Sequence, residues 1–213
     1  MKVKLKSTKG RSASSSRWLT RQLSDPFVQR AKAEGLRSRA AFKIREIDAK
    51  FRLFKHGLKV VDIGAAPGGW SEYAVGRAGK KNVVAIDILD MKPVEGVAFL
   101  QADFESDEAK DFIRAYLGGS ADVVISDIAP NTTGNASTDH LQIMALVEQA
   151  YEFALSVLLP GGSFVAKVRQ GGTEAGLLAR MKRDFARVAH FKPASSRKES
   201  SETYVVALGR SLK

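Results

Sequence analysis

The 213-residue chain has no cysteine, which excludes disulfides and thiolate metal sites and fits a reducing compartment. Its three histidines, His56, His140 and His190, are scattered, so no metal centre is expected. No apolar run approaches the length of a membrane span. The first 24 residues hold no acid. They open Met1-Lys2-Val3-Lys4-Leu5-Lys6 and continue into serine and arginine instead of an apolar core, so a secretory signal is not expected. An organelle transit peptide is the other reading of an Arg- and Ser-rich, acid-poor start. The expectation is a cytoplasmic protein without membrane contact.

What is present is positive charge, unevenly placed. The net charge is +11, and residues 1–45 carry 13 Lys or Arg against two acids, Asp25 and Glu34. In residues 46–213 the two signs cancel. A concentrated basic arm is the usual footprint of a phosphate-rich partner, and otherwise a solvated tail. Residues 1–24 are expected to form a flexible arm and residues 25–213 a single domain, since this length supports one sizeable core.

Asp25-Pro26 has the form of a helix start, with Asp at the N-cap and Pro at the first helical position, and Gly35 stops that helix. A second helix starts near Ser38 and carries Ala40, Ile44, Ile47 and Phe51 on one face. From Lys59 onward strands at 59–63, 83–88, 97–101, 121–126 and 163–168 alternate with helices at 69–78, 107–117, 139–159 and 173–187. Such alternation predicts a parallel sheet with helices on both faces. Two final strand-like runs, 188–192 and 203–208, have no helix between them and should pair as an antiparallel hairpin.

The most informative segment is Val60-Val61-Asp62-Ile63-Gly64-Ala65-Ala66-Pro67-Gly68-Gly69-Trp70. A buried strand runs into a turn almost without side chains, where backbone can approach a ligand, and a helix from Gly69 aims its free N–H groups at the same place. Asp87, 23 residues after Gly64, ends the second strand where an acid can accept hydrogen bonds from ribose hydroxyls. To this point a dinucleotide fits as well as S-adenosylmethionine. Three details favour the methyl donor. Ala66 replaces the second glycine of a pyrophosphate-binding turn, Asp103 follows the third strand where it can meet an adenine amino group, and Ser126-Asp127-Ile128-Ala129-Pro130-Asn131 puts a carboxylate and an amide at the switch point of the sheet.

Lys167 is out of place in Ser163-Phe164-Val165-Ala166-Lys167-Val168-Arg169, because a central parallel strand is apolar throughout. Such a lysine either snorkels to the strand end or is tuned to lose its proton, which burial and a neighbouring cation both favour. Lys43, beside the apolar face of the second helix, can be that neighbour, or it can pair with Glu46 at i,i+3 on the surface. Glu202 alone reads as a solvated charge before the last strand.

The chain resembles the bacterial heat-shock ribosomal RNA large-subunit methyltransferases, which methylate a uridine 2′-hydroxyl. The resemblance spans almost the whole chain. It rests on Arg11-Ser12-Ala13-Ser14-Ser15-Ser16-Arg17-Trp18-Leu19, Leu36-Arg37-Ser38-Arg39-Ala40, Gly64-Ala65-Ala66-Pro67-Gly68-Gly69-Trp70, Ser126-Asp127 with Ala129-Pro130-Asn131, and Pro160-Gly161-Gly162-Ser163-Phe164-Val165 with Lys167. It implies a Rossmann-like class I S-adenosylmethionine-dependent methyltransferase fold: a seven-stranded, mostly parallel sheet with an antiparallel C-terminal edge hairpin and helices on both faces. It also implies a catalytic Lys-Asp-Lys-Glu tetrad, which falls on Lys43, Asp127, Lys167 and Glu202, and cofactor contacts at Gly68, Trp70, Asp87, Asp103 and Asp127. Glu202 is placed by its position two residues before Tyr204, with Glu199 nearby. Ala41 departs from the tryptophan of the family pattern.

In this reading Lys167 is the proton acceptor, or binds the emerging alkoxide, while Lys43 stabilises that charge and Asp127 and Glu202 orient the two lysines. The implied partner is large-subunit ribosomal RNA, presented in an assembled large subunit, with the enzyme acting as a monomer. The basic arm, Arg37, Arg39, Lys43, Arg197 and Lys198 form a phosphate track and Trp18 a stacking platform. The rival readings are a ribose methyltransferase of transfer RNA or a messenger cap, a nucleotide-binding RNA protein without catalysis, and a nicotinamide dehydrogenase.

Overall fold

The structure is a computed structural model that describes residues 20, 23–130, 134–169, 173–197 and 199–211. Nearly all of the basic arm, with the 11–19 motif and Trp18, lies outside the described residues, as do Asn131 and Lys198.

Of the described elements, two helices precede the sheet. Helix α1, Pro26–Ala33, is capped by Asp25, whose side chain accepts from the Phe27 amide at 3.0 Å. Helix α2 is Ala40–Phe51. It ends in a left-handed Arg52, and Asp48 in its last turn accepts from the Phe54 amide at 3.0 Å and from the Tyr73 hydroxyl at 2.7 Å. The rest is the alternating unit: β1 Val60–Ile63, α3 Gly69–Ala78, β2 Val83–Asp87, β3 Val97–Gln101, α4 Asp107–Leu117, β4 Ala121–Ser126, α5 Ala136–Val157, β5 Leu158–Arg169, α6 Ala175–Asp184, β6 Phe185–Phe191 and β7 Glu202–Arg210.

The seven strands form one sheet in the order β3-β2-β1-β4-β5-β7-β6. β1 to β5 pair in parallel, and β7 runs antiparallel to both β5 and β6, so it is the one reversed strand of the seven. Each face of the sheet has its own core, as side-chain alternation along a strand requires. Val61, Ile63, Val84, Val124 and Phe164 pack under α4, α5 and α6 through Ile113, Tyr151 and Met181. Val60, Val83, Val123, Val165, Tyr204 and Val206 pack under α2 and α3 through Ile44, Ile47, Trp70 and Ala74. Each fully buried aliphatic or aromatic side chain contributes about 1.5–3 kcal/mol.

The largest differences from the sequence reading lie at α5, β5 and the α6–β6 junction. α5 covers 136–157 instead of 139–159, and β5 starts at Leu158 instead of 163 because Leu158 pairs with Ala121. The register then shifts, so Pro160-Gly161-Gly162 is accommodated as an irregularity inside the strand, not as a turn before it. α6 stops at Asp184, short of 187, because Phe185 turns into the core against Tyr151 and pairs with Arg210.

Candidate active site

The parallel strands deliver their C-terminal ends, and reversed β7 its start, to one edge of the sheet, where ligands bind in an open α/β fold. Two adjoining cavities open there. The larger, 460 Å³, falls in the range of small-molecule sites. Its lining includes Asp87, Asp103 and Asp127, with apolar walls from Ile88, Leu89, Phe104 and Ile128. The smaller, 140 Å³, lies between the start of α2 and the first turn of α3 and includes Ser38, Ala65, Gly69 and Trp70. Gly64, Ala66 and Asp127 line both.

Backbone shapes the cofactor side. Gly64 has φ +71°, and a Cβ there would lie 2.2 Å from Ile128 Cγ1, so the turn after β1 and the segment after β4 are in contact only because glycine separates them. At Gly69 a Cβ would meet Ser38 Oγ at 2.4 Å. Asp87 ties the turn to β2: one carboxylate oxygen accepts from the Ala66 amide at 2.8 Å and the other from the Leu89 amide at 2.8 Å. Asp103 accepts from the Glu105 amide at 3.0 Å. The Trp70 indole is buried and donates to the Ala40 carbonyl at 2.9 Å, so this side chain joins α3 to α2, and the group with which Trp70 can reach a ligand is its main-chain N–H in the first helical turn. Gly68 lies at the N-cap, left-handed, between Val94, Arg37 and Met91.

Asp62 is fully buried on β1 below this turn, and its place inside an apolar strand gives no sequence signal of a role. One carboxylate oxygen accepts from the Ser71 hydroxyl at 2.5 Å and the other has no partner among the described residues. Burial, abetted by nearby Asp127 and Asp87 and opposed by Ser71, pushes its carboxyl up to about 7.

Side chains build the other half. Lys43, Asp127, Lys167 and Glu202, from α2, the end of β4, β5 and β7, meet in one ion-paired cluster. Lys43 Nζ lies 2.7 Å from Glu202 Oε1 and 3.8 Å from Asp127 Oδ2. Lys167 Nζ lies 2.8 Å from Asp127 Oδ1 and donates to the Asp127 carbonyl at 2.7 Å. The surface pairing of Lys43 with Glu46 does not form. Glu46 instead accepts from the Ala194 and Ser195 amides at 2.5 and 3.0 Å, drawing the β6–β7 loop onto α2. Glu199, the neighbouring candidate, is exposed.

Tyr204, read from the sequence only as a marker of register, bridges the two carboxylates. Its hydroxyl donates to Asp127 at 2.8 Å and lies 3.2 Å from Glu202. Ser196 Oγ donates to Glu202 at 3.1 Å. Burial and the two acids raise the Tyr204 phenol well above its usual range, so it remains a donor. Burial pushes the Asp127 carboxyl up, but Lys167 and Lys43 outweigh it and hold the group below the usual carboxylate range. Around the cluster Arg39 and Arg197 both pair with Asp25, Arg197 at 3.0 Å, and Arg39 also donates to the Ser195 carbonyl.

A β3-β2-β1-β4-β5-β7-β6 sheet reversed only at β7, with a glycine turn and strand-end acids at one edge, defines a class I S-adenosylmethionine-dependent methyltransferase. The residues fit that cofactor: carboxylates and apolar walls for a nucleoside in the larger cavity, and a side-chain-free helix start beside it. Residues 36–210 match the FtsJ-like methyltransferase family. The chain is 56% identical over 213 residues to a protein of Xanthobacter autotrophicus called ribosomal RNA large subunit methyltransferase E, covering 98% of this chain and 84% of that one. It is 57% identical over 211 residues to the protein of the same name in Bradyrhizobium diazoefficiens, covering 97% and 92%. A crystal structure described as a ribosomal RNA methyltransferase from Plasmodium falciparum matches with TM-score 0.73 and 27% identity, over 83% of this chain and 100% of that one. The chain belongs to the FtsJ-like methyltransferase family. It is an S-adenosylmethionine-dependent methyltransferase. Among the described residues no helix is long and apolar enough to cross a membrane.

Proposed function

We propose that this enzyme methylates the ribose 2′-hydroxyl of a uridine in large-subunit ribosomal RNA, on the assembled large subunit, as a monomer in the cytoplasm. The ion-paired cluster of Lys43, Asp127, Lys167 and Glu202 beside the cofactor cavity carries this reading. The curated relatives, named as large-subunit ribosomal RNA methyltransferases and aligned over nearly the whole chain, supply the substrate.

A ribose hydroxyl is a poor nucleophile until its proton leaves. Lys167 and Lys43 hold the Asp127 carboxyl below the usual carboxylate range, so it is a weak base and serves as an orienting group. In its neutral amine form Lys167, which faces one carboxylate, accepts the hydroxyl proton, and Lys43, which faces two, stabilises the developing alkoxide as an ammonium. Glu202, fixed by Ser196 and Tyr204, holds Lys43 in place. Gly68, the Trp70 main chain, Asp87, Asp103 and Asp127 hold the cofactor, which when bound supplies a methyl group on a sulfonium cation. The basic arm of residues 1–24, with Arg37, Arg39, Arg197 and Lys198, gathers RNA phosphates.

The test is to incubate large subunits lacking the modification with protein and S-adenosylmethionine and to map ribose methylation. One new 2′-O-methyluridine in the large-subunit RNA is expected. Lys167→Ala should lower the rate at least 100-fold while calorimetry shows cofactor binding retained. Methylation of transfer RNA alone would overturn the substrate, and full activity in the variant would overturn the role of Lys167.

A further inference from the structure

The cluster at the sheet edge is electrically balanced, since Lys43 and Lys167 face Asp127 and Glu202. One more cation stands at the same edge without such a counterion. Arg169 is the last residue of β5, two positions beyond Lys167, so the two side chains leave the same face of the sheet. In the β5–β7 ladder Lys167 is opposite Tyr204 and Arg169 is opposite Glu202.

Opposite charges facing one another across a ladder normally pair. Here they do not. Glu202 is engaged by Lys43, Ser196 and Tyr204, and the half-buried Arg169 guanidinium turns to the neighbouring Ser201, donating through Nε to its hydroxyl at 3.0 Å. The described residues include every Asp and Glu of the chain, and none of these carboxylates lies within ion-pair distance of Arg169. The other cations around the cluster, Arg39 and Arg197, share Asp25. Arg169 therefore stands at this edge of the sheet with one edge of its fork fixed by Ser201 and its terminal nitrogens uncommitted to carboxylates. It lines neither cavity of the cofactor side.

We infer that Arg169 binds the phosphodiester group next to the ribose that is methylated, and so positions the 2′-hydroxyl against Lys167. Two residues along one face of a strand are about 7 Å apart, a spacing that suits a hydroxyl and the backbone phosphate of the same nucleotide. A guanidinium presents paired donors to phosphate oxygens, and its single anchoring bond to Ser201 limits the ordering needed on binding. The inference rests on the RNA 2′-O-methylation proposed above.

The test compares Arg169→Gln and Arg169→Lys with the unaltered protein in steady-state methylation of large subunits over a series of salt concentrations. Arg169→Gln should raise KM for the subunit about tenfold, and the slope of log affinity against log salt should become shallower by about one, the signature of one lost phosphate contact. Arg169→Lys should restore the slope but only part of the affinity, since the charge returns without the fork. Cofactor affinity, measured by calorimetry, should not move. An unchanged salt slope and KM in Arg169→Gln would overturn the inference. So would a loss confined to kcat and reproduced by Ser201→Ala, which would make Arg169 a support for the start of β7. Absence of methylation by the unaltered protein would instead overturn the function on which the inference rests.

Discussion

The two halves of the site that meet at Asp127 are built by different means. The cofactor half consists largely of main chain: a glycine turn that fits against Ile128, a helix start, and Asp87 holding the turn by amide bonds. The half proposed to face the RNA consists of long side chains brought from α2, β5 and β7 and fixed by one another's charges. Backbone geometry comes from a local fold and tolerates changes elsewhere. A charge cluster is cooperative, because removing one member leaves its partners buried and unpaired. The arrangement suits the proposed chemistry, in which one half binds while the other accepts a proton and offsets charge that develops during reaction.

Asp127 belongs to both halves and is the place to break the distinction. Asp127→Asn removes the anion between two ammonium groups and alters the shared wall of the two cavities. We expect about a 1,000-fold loss of kcat together with at least a tenfold loss of cofactor affinity, and a destabilisation on the order of 3 kcal/mol from uncompensated buried charge. Single-turnover methylation, calorimetry and denaturant titration separate the three. Intact cofactor affinity would show that the halves divide on the RNA side of Asp127.

The sequence discloses the two halves unequally for the same physical reason. The glycine turn, Asp87 and Asp103 are readable because strand, turn and helix follow one another in the chain and the acids end successive strands. Lys43, by contrast, has a local explanation in Glu46 that the structure refutes: Glu46 is occupied by amides of the β6–β7 loop, and the true partner, Glu202, comes from the far end of the chain. No periodicity brings such residues together, and only the family pattern did. The polar bridge at Tyr204 is not legible in the sequence, because a tyrosine inside an apolar strand reads as core, which it also is, packed on Trp70 with ring centroids 5.5 Å apart. The misplaced starts of β5 and β6 have the same origin, since Leu158 and Phe185 take their conformation from Ala121 and Tyr151.

A smaller perturbation sharpens the backbone side. Gly64→Ala adds one carbon where Ile128 already stands and strains a left-handed residue. It should weaken cofactor binding about tenfold and cost about 2 kcal/mol of stability. Once cofactor saturates, the turnover of the charge cluster should be nearly restored. Adding Ile128→Ala should recover part of the affinity, because the collision is relieved while the φ strain remains. An undiminished affinity in Gly64→Ala would mean that the turn shifts freely and does not shape the pocket.

The smallest effect concerns Asp62, the buried acid under the turn. Its carboxyl titrates near 7 in the folded chain against an ordinary value of 3.8, raised chiefly by burial, so the folded state holds a proton that the unfolded state has released. Stability therefore falls as pH rises from about 4 to about 7 and levels off above, the reverse of the slope contributed by Asp127, whose depressed carboxyl stabilises the fold above the usual carboxylate range and loses that contribution only in acid. Asp62→Asn fixes the neutral shape and keeps an acceptor for Ser71. Its melting temperature should match that of the unaltered protein near pH 4 and exceed it at pH 8, by an amount corresponding to about 1–2 kcal/mol once local relaxation has trimmed the full cost of burying the charge. If the two melting curves stay together across that range, the acid under the turn does not carry its proton into the folded state, and the main-chain half of the site has an electrostatic anchor after all.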